Sequence, residues 1–361
     1  MSIVVIGGYG VFGSRIVADL VEHTGHRVGV AGRNQTRARA LCEQLGSQAY
    51  AVNISLSDEA TIRKALVDAS VVILAAGPFQ NLPNTVLDAA IELGVHYIDL
   101  TDSRAFLARV HAQKDRIEAA NIVVLSGLSS FSGISGPFGK LGQQMLGGCD
   151  TVQICLSPGN KNPKGIGTIQ SILSSVGTPL DVWKDGRYVE LQGWSEPESI
   201  EFPAPVGRRV VYWADGPDYD VLPAQLNCQR VTFKAGLEIP LLNHGVSVLG
   251  WLRKHTRLSF ESYAGWLIRL SNLLGWTGTP YGGIQVKVTY QQKSWTASVI
   301  AEENGPRVAA LPSAIAAAQL MDNTLTGRGL IPLTEWIDAE LLIDMLRSRG
   351  LTVFTSDKEL G

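Results

Sequence analysis

A short glycine-rich segment near the start of the chain has the composition of a phosphate-binding turn. Gly8-Tyr9-Gly10-Val11-Phe12-Gly13 has the spacing G-x-G-x-x-G, directly after the apolar run Ile3–Ile6 and before an amphipathic stretch. In a strand–turn–helix unit, the first glycine permits a tight turn, the second admits a pyrophosphate, and the third lets the helix pack on the strand. The helix N-terminus adds unpaired N–H groups. This segment therefore predicts a dinucleotide-binding turn.

Residues about 20 positions further on indicate which dinucleotide would bind, because NAD enzymes carry an acid there for the ribose hydroxyls. This chain has no acid at that place; it has Arg33 and Asn34, with Arg37 nearby. A guanidinium can bind a 2′-phosphate through two hydrogen bonds, whereas a carboxylate would repel it. We therefore predict NADP(H) as the cofactor. The alternative is that Arg33 is a surface residue at the start of a helix and takes no part in cofactor binding.

The composition is that of a globular protein with no general attraction to nucleic acid. The chain has 361 residues, 45% of them hydrophobic and 18% charged, and a net charge of −2, which predicts two domains and a large apolar interior. The four cysteines lack paired spacing, which favours a reducing cytoplasm, and no cluster has metal-ligand spacing. No apolar run reaches about 18 residues, so no membrane span is expected.

An alternation of strands and helices would position the glycine turn. Six short apolar runs precede residue 126: Ile3–Ile6, Arg27–Ala31, Ala49–Val52, Val71–Ala75, Tyr97–Leu100 and Val123–Leu125. Helical patterns lie between them at Ser14–His23, Thr36–Leu45, Asp58–Leu66, Pro83–Leu93 and Ala105–Ala119. Buried strands joined through single helices predict a parallel sheet covered on both faces. We therefore expect an α/β fold whose residues 1–127 form a Rossmann domain, a doubly wound parallel sheet.

The pattern changes after Leu125, and we expect residues 128–325 to form a mixed α+β domain for substrate binding or dimerisation. Predicted strands there are Thr151–Ser157, Arg209–Trp213, Arg230–Ala235, Gln285–Gln291 and Ser294–Glu302. An Ala-rich helix is predicted over Ala314–Met321, just after Pro312. Residues 326–361, with a predicted helix Ala339–Arg349 and strand Leu351–Thr355, are expected to pack back on the first domain.

Several motifs, taken in order, resemble those of the saccharopine dehydrogenase-like oxidoreductases. They span nearly the whole chain: Gly7–Gly13, Ala31–Arg33, Ala75–Phe79, Tyr97–Asp102, Ser126-Gly127, Leu311–Ala314, Gly327–Gly329 and Glu335-Trp336. The resemblance implies a Rossmann domain, a second α/β domain that closes over the nicotinamide, and NADP(H)-dependent chemistry on an amino acid and an aldehyde. Where many relatives read Thr-Gly-Glu, this chain has Thr101-Asp102-Ser103. The segment Gly127–Ser135 also lacks the acids and the proline of the lysine-pathway enzymes, so saccharopine itself is not the expected substrate.

Ligands of a doubly wound sheet bind beyond the carboxyl ends of its strands, which brings several loops to one crevice. Partly from the resemblance, we expect Ala76, Gly77 and Pro78 to line the cofactor path. The candidates for proton transfer are Asp102, Asp99 and Tyr97, because burial can raise the pKa of a carboxyl into a useful range. The expected substrate contacts are Phe79, Ser129, Ser130 and Phe131. Asp99 also has a structural alternative, since an Asp at a strand end commonly caps the next loop.

One aromatic and basic segment, residues 236–276, keeps three interpretations open: a substrate lid, a dimer face, or an interfacial helix that admits a lipid-like substrate. A homodimer is the expectation from base rates alone.

Two functions remain open from the sequence. The first is an NADP(H)-dependent oxidoreductase that acts on a C=N or C=O bond of a small metabolite. The second is a non-catalytic NADP-binding sensor or interaction protein on the same scaffold, which the missing acids between Gly127 and Ser135 favour.

Overall fold

The computed structural model describes residues 2–163, 173, 175–255 and 277–356. The chain divides into two compact units. The first takes residues up to 134 together with 309–337, and the second takes residues 135–308 and those from 338 onward.

The strands alternate with helices in the first unit and dominate the second. In chain order the strands are β1 Ser2–Ile6, β2 Arg27–Gly32, β3 Ala49–Asn53, β4 Val71–Leu74, β5 His96–Asp99, β6 Val123–Leu125, β7 Thr151–Ser157, β8 Pro179–Lys184, β9 Arg187–Gln192, β10 Glu198–Phe202, β11 Gly207–Trp213, β12 Arg230–Ala235, β13 Gly282–Tyr290, β14 Lys293–Ala301, β15 Gly329–Leu330 and β16 Thr352–Thr355. The described helices are α1 Gly13–His23, α2 Gln35–Leu45, α3 Glu59–Leu66, α4 Thr85–Leu93, α5 Arg104–His111, α6 Lys114–Ala119, α7 Ser135–Leu146, α8 Asp218–Leu226, α9 Pro240–His255, α10 Arg307–Met321 and α11 Ala339–Ser348.

The first unit is built on a parallel sheet of seven strands in the order β15-β6-β5-β4-β1-β2-β3. The chain starts in the middle at β1, builds outward to β3, and then returns to place β4 on the other side of β1. That reversal is the topological switch point, beside which α/β proteins bind ligands. Strands β1 and β4 are buried along their whole length, as their apolar sequences require. The predicted α/β fold class is confirmed.

The second unit contains a mixed sheet in the order β10-β11-β12-β7-β13-β14-β16, with a separate hairpin of β8 and β9. Strands β12 and β7 run parallel, and the remaining neighbours are antiparallel. Helix α7 packs against β13 and β14. The prediction of a second, mixed sheet domain is confirmed.

The C-terminal stretch differs from the prediction that residues 326–361 pack back on the first domain. Strand β15 does extend the first sheet beside β6. Helix α11 and strand β16 instead belong to the second unit, where β16 pairs with β14 and so covers what would be an open sheet edge. Conversely, residues 309–325 belong to the first unit, although they were expected in the second.

Two helices also differ from their predicted bounds. Helix α10 begins at Arg307, so Pro312 lies inside it and not before its first turn. Proline weakens a helix interior by removing an N–H donor, and here its ring lies beside Gly133. The predicted helix Ala105–Ala119 is two helices, α5 and α6, separated after His111.

Helix α9 covers the first part of the segment 236–276 and leaves Leu241 and Trp251 exposed. Residues 256–276 lie outside the described part of the chain. Among the described residues, no helix is both long and apolar enough to cross a bilayer.

Candidate dinucleotide site and proton-transfer loops

The glycine turn after β1 leaves no room for a side chain at Gly8 or Gly13. A Cβ on Gly13 would lie 2.2 Å from the carbonyl oxygen of Gly7, so α1 approaches the strand as the sequence predicts. The tight turn itself falls on Gly7, with φ +80°, and not on Gly8 as expected. Gly8 is needed for a different reason: a Cβ there would lie 2.8 Å from Val5 O. Gly10 closes the turn, with its N–H 2.8 Å from Gly7 O.

The backbone around the start of α1 offers free donors. Within the described residues, the N–H groups of Val11, Phe12 and Gly13 donate to no protein acceptor. Helix α1 has no side-chain cap, and its first turn contains no acid. Unpaired amides at a helix N-terminus carry partial positive charge and bind phosphate oxygens. The turn therefore fits a pyrophosphate.

Tyr9 links this turn to the end of β2. Its hydroxyl accepts a hydrogen bond of 2.8 Å from Asn34 N, and its carbonyl accepts one of 3.1 Å from the Arg37 guanidinium. The Arg37 guanidinium also lies over the Tyr9 ring, 4.9 Å from its centroid. The ring rests on Gly32, where a Cβ would come within 2.4 Å of it. Asn34 in turn caps α2 by accepting from Arg37 N.

Arg33 is the free cation at this edge. It is exposed and makes no hydrogen bond or ion pair with any described residue. Its neighbours at the end of β2 include no acid. The edge therefore suits a ligand that carries a further anionic group near its ribose.

Asp99, at the end of β5, is fully buried and joins two loops. One carboxylate oxygen accepts 2.9 Å hydrogen bonds from Thr101 N and Gly127 N, and the other accepts a 2.7 Å bond from the Ser126 hydroxyl. The Asp99 carbonyl also accepts from Leu128 N at 2.8 Å. Asp99 therefore fixes the loop after β5 to the loop after β6, as its structural alternative predicts.

Burial raises the pKa of the Asp99 carboxyl, although the hydrogen bonds from Ser126, Thr101 and Gly127 oppose this change. A pKa raised in the folded state means that the folded protein binds this proton more tightly than the unfolded chain does. The stability that Asp99 contributes is then complete below its unfolded pKa and declines as pH rises through its folded pKa.

We expect the difference in unfolding free energy between wild type and Asp99→Asn to fall as pH rises from about 4 towards neutrality. Urea unfolding at a series of pH values measures it, and Asp115→Asn, at an exposed acid in the same unit, controls for the loss of one carboxyl. A difference that grows with pH would show that the native fold favours the charged form.

The other two candidates for proton transfer differ in exposure. Tyr97 is fully buried in β5, and burial followed by the charge of Asp99 raises the pKa of its hydroxyl. Tyr97 and Asp99 thus have no surface for direct contact with a substrate, because both lie inside the sheet. Asp102 is half-buried. Both of its neighbours in the chain are anchored. Thr101 donates a backbone hydrogen bond to Asp99, and the Ser103 hydroxyl caps α5 by accepting a hydrogen bond from Phe106 N at 3.3 Å.

The predicted substrate contacts are also mostly covered. Ser129, Ser130 and Phe79 are buried, and Phe79 packs edge-on against Phe106 with the ring centroids 5.4 Å apart. Phe131 is half-exposed. In the cofactor path, Gly77 is exposed, and Ala76 and Pro78 are half-buried.

The loop that carries these serines is anchored from two sides of the first unit. The Ser313 hydroxyl donates to Leu128 O at 2.6 Å, and Trp336 Nε1 donates to Gly133 O at 3.0 Å. A Cβ on Gly133 would lie 2.3 Å from Ser129 O. The motifs around Ser313 and Trp336, known from the sequence only as part of a resemblance, therefore support the loop after β6.

Three residues of this edge were not among the predicted site residues: Gly7, Gly32 and Gln35. The Gln35 amide donates to Gly32 O and Val52 O, both at 3.0 Å, and so fixes the ends of β2 and β3. The signal for Gly7 was present, since a glycine directly before G-x-G-x-x-G can take the left-handed conformation. Gly32 was known from the sequence only as part of the Ala31–Arg33 motif, and Gln35 gave no signal. Their roles depend on the position of the Tyr9 ring and of β3.

Comparisons with known proteins agree with this geometry. Residues 3–125 match the family model described as saccharopine dehydrogenase NADP binding domain. No curated protein matches the sequence. Apo histidine-tagged saccharopine dehydrogenase (L-Glu forming) from Saccharomyces cerevisiae is similar over 98% of this chain and 99% of its own, with TM-score 0.70 and 16% identity. Amine dehydrogenase from Mycobacterium smegmatis is similar over 92% of this chain and 95% of its own, with TM-score 0.50 and 11% identity.

At these identities the two structures show that the fold is shared, and they show nothing about activity. The segment that the family model matches contains both the glycine turn after β1, with its free backbone amides, and the exposed Arg33 at the end of β2. Residues 3–125 therefore match the saccharopine dehydrogenase NADP-binding domain family, within a chain that shares the fold of the yeast saccharopine dehydrogenase.

Proposed function

We propose that this protein is an NADP(H)-dependent oxidoreductase that acts on a C=N or C=O bond of a small metabolite. The observation that carries the proposal is the exposed Arg33 guanidinium at the end of β2, which has no partner among the described residues and lies where an NAD enzyme would have an acid. The amides of Val11, Phe12 and Gly13 would hold the pyrophosphate, and Arg33 with Arg37 would hold the 2′-phosphate. The cofactor, when bound, supplies or accepts the hydride.

Reduction of such a bond adds a hydride to carbon and a proton to nitrogen or oxygen, so the protein must supply the proton. Asp102 is our candidate for this group, because it is half-buried at the carboxyl edge of the sheet and its neighbours on both sides are anchored. A carboxyl in a water-poor crevice can retain a proton long enough to donate it. Oxidation of the product returns the proton to the same carboxylate.

Asp99 serves this site as a positioning residue. Asp99 fixes Thr101, which directly precedes Asp102, and it also fixes Gly127. Gly127 has φ +85°, a conformation that other residues adopt only with strain. The position of the Asp102 carboxyl therefore depends on the buried Asp99. Among the proposed substrate contacts, Phe131 has the most exposed surface.

We expect Asp102→Asn to lower kcat by roughly a hundredfold to ten-thousandfold, the usual contribution of general acid–base catalysis. NADPH affinity should stay within about twofold, because Asp102 is not among the cofactor's phosphate contacts. NADPH oxidation is measured with pairs of amino acids and oxo acids, and with imines and enones. Asp115→Asn is the matched control and should keep wild-type turnover.

A second outcome of the same screen would favour the non-catalytic alternative. If none of these substrates oxidises NADPH while the cofactor still binds tightly, the protein is an NADP-binding sensor. If turnover is found and Asp102→Asn retains it, Asp102 is not the proton donor.

A further inference from the structure

One face of the second sheet carries a polar cleft of about 370 Å³. Its floor consists of two cross-strand rows on β12, β7 and β13: Arg230, Thr151 and Thr289 in the first, and Thr232, Gln153 and Lys287 in the second. Further along this face, Phe202 and Val206 pack on Cys155, two residues after Gln153. The cleft lies where that apolar cover ends.

The threonines of the floor have unused hydroxyl groups. Thr232 is only 8% exposed, and its hydroxyl makes no hydrogen bond with any described residue. The hydroxyls of Thr151 and Thr289 are likewise without a partner in the described part of the chain. Thr151 and Thr289 are half-buried, and all three threonines line the cleft. Their hydroxyls can therefore donate hydrogen bonds to the oxygens of a ligand there.

Two of the four cations that line the cleft have no ion-pair partner in the described part of the chain. Lys287 on the floor and Lys184 on the wall form no ion pair with a described residue. Arg230 pairs with Asp185 at 2.7 Å, but both side chains are exposed, so a ligand can replace this weak partner.

The two acids in the cleft already have hydrogen-bond partners within the protein. Glu198 accepts 2.9 Å hydrogen bonds from Lys234 and from the Gln153 amide, and Glu196 accepts one of 2.8 Å from Trp213 Nε1. Burial opposes ionisation of Glu198, but these hydrogen bonds hold its pKa below the usual range. Glu198 therefore stays charged and neutralises Lys234. With four cations against two carboxylates, the lining has a net charge of +2.

We propose that this cleft binds a small dianion, with two carboxylates or one phosphate group. Lys184, Lys287 and Arg230 would neutralise the charge, and the hydroxyls of Thr151 and Thr232 would donate hydrogen bonds to its oxygens. The volume lies in the range of small-molecule sites. All lining residues belong to the second unit, whereas the dinucleotide turn belongs to the first, so the site is separate from the cofactor's phosphate contacts.

Calorimetric titration of the full chain with inorganic phosphate, and separately with succinate, tests the site. We expect one of them to bind, with affinity that falls as salt concentration rises. Lys287→Gln and Thr232→Val should each weaken binding by about fivefold or more. Lys293→Gln, at an exposed lysine outside the cleft, should leave it within about twofold of wild type. Tighter binding of phosphate or of succinate identifies which kind of dianion the cleft prefers.

Thr232→Val keeps the shape of the side chain and removes only the hydroxyl, so an unchanged melting temperature separates loss of the site from loss of the fold. The proposal is overturned if neither dianion binds, or if Lys287→Gln and Thr232→Val bind as wild type does. It is also overturned if the protein sediments as a dimer that Lys287→Glu dissociates and no dianion binds, because the cleft is then an interface between copies. Each result is independent of NADPH turnover.

Discussion

Arg33→Ala is expected to weaken NADPH binding by about tenfold or more, a loss of about 1.4 kcal/mol, and to leave NADH binding within about twofold. The guanidinium has no protein partner in the described residues, so its hydrogen bonds and charge are available to the 2′-phosphate. NADH lacks that phosphate and gains nothing from the arginine. Titration followed by nicotinamide fluorescence measures both affinities.

The matched control is Arg39→Ala. Arg39 lies on α2 and, like Arg33, is exposed and forms no hydrogen bond or ion pair with a described residue. It should bind both dinucleotides as wild type does. Equal binding of NADPH and NADH by the wild type would contradict the assigned cofactor preference. A loss of both affinities in Arg33→Ala would instead show that the arginine supports the turn and does not recognise the 2′-phosphate.

The first sheet could be predicted because its central strands are buried on both faces. Runs such as Val71–Leu74 have no polar residue, and each is followed by a helical pattern of suitable length, so few other folds can bury them. The strands β7 and β12 of the second sheet were predicted with the bounds that the structure shows. Strands β8, β9 and β10 were not, because each has only two or three apolar residues, which is too few for a clear two-residue alternation in the sequence.

The candidate site was predicted only in part, because residue type and spacing do not give burial. Asp99 and Asp102 are equally good acids in the sequence, three residues apart. The first is enclosed by Thr101, Ser126 and Gly127, and the second remains half-exposed. What separates them is the loop after β6, which is more than 20 residues distant in the chain. The strands β15 and β16 join different sheets for a similar reason, since their pairing depends on which sheet edge is open.

Two alanine substitutions in the glycine turn should distinguish a glycine that stability requires from one that dinucleotide binding requires. We expect Gly13→Ala to lower the free energy of unfolding by about 1–3 kcal/mol, because its Cβ would meet the backbone oxygen of Gly7 at 2.2 Å. This clash should exceed the gain in helix propensity of about 1 kcal/mol from replacing glycine by alanine. Chemical unfolding measures the loss, and cofactor binding should fall with it.

Gly10→Ala should keep wild-type stability to within about 0.5 kcal/mol, because the only atom near its Cβ is Gly7 O at 3.0 Å. It should nevertheless lose dinucleotide affinity, since the added methyl occupies the space that a pyrophosphate needs. Gly25→Ala, with nothing near its Cβ, controls for alanine itself. If Gly10→Ala binds NADPH as wild type does, the phosphates do not pass over Gly10, and the free amides of the turn serve another ligand. If it is instead as unstable as Gly13→Ala, Gly10 is required by the turn and not by the cofactor.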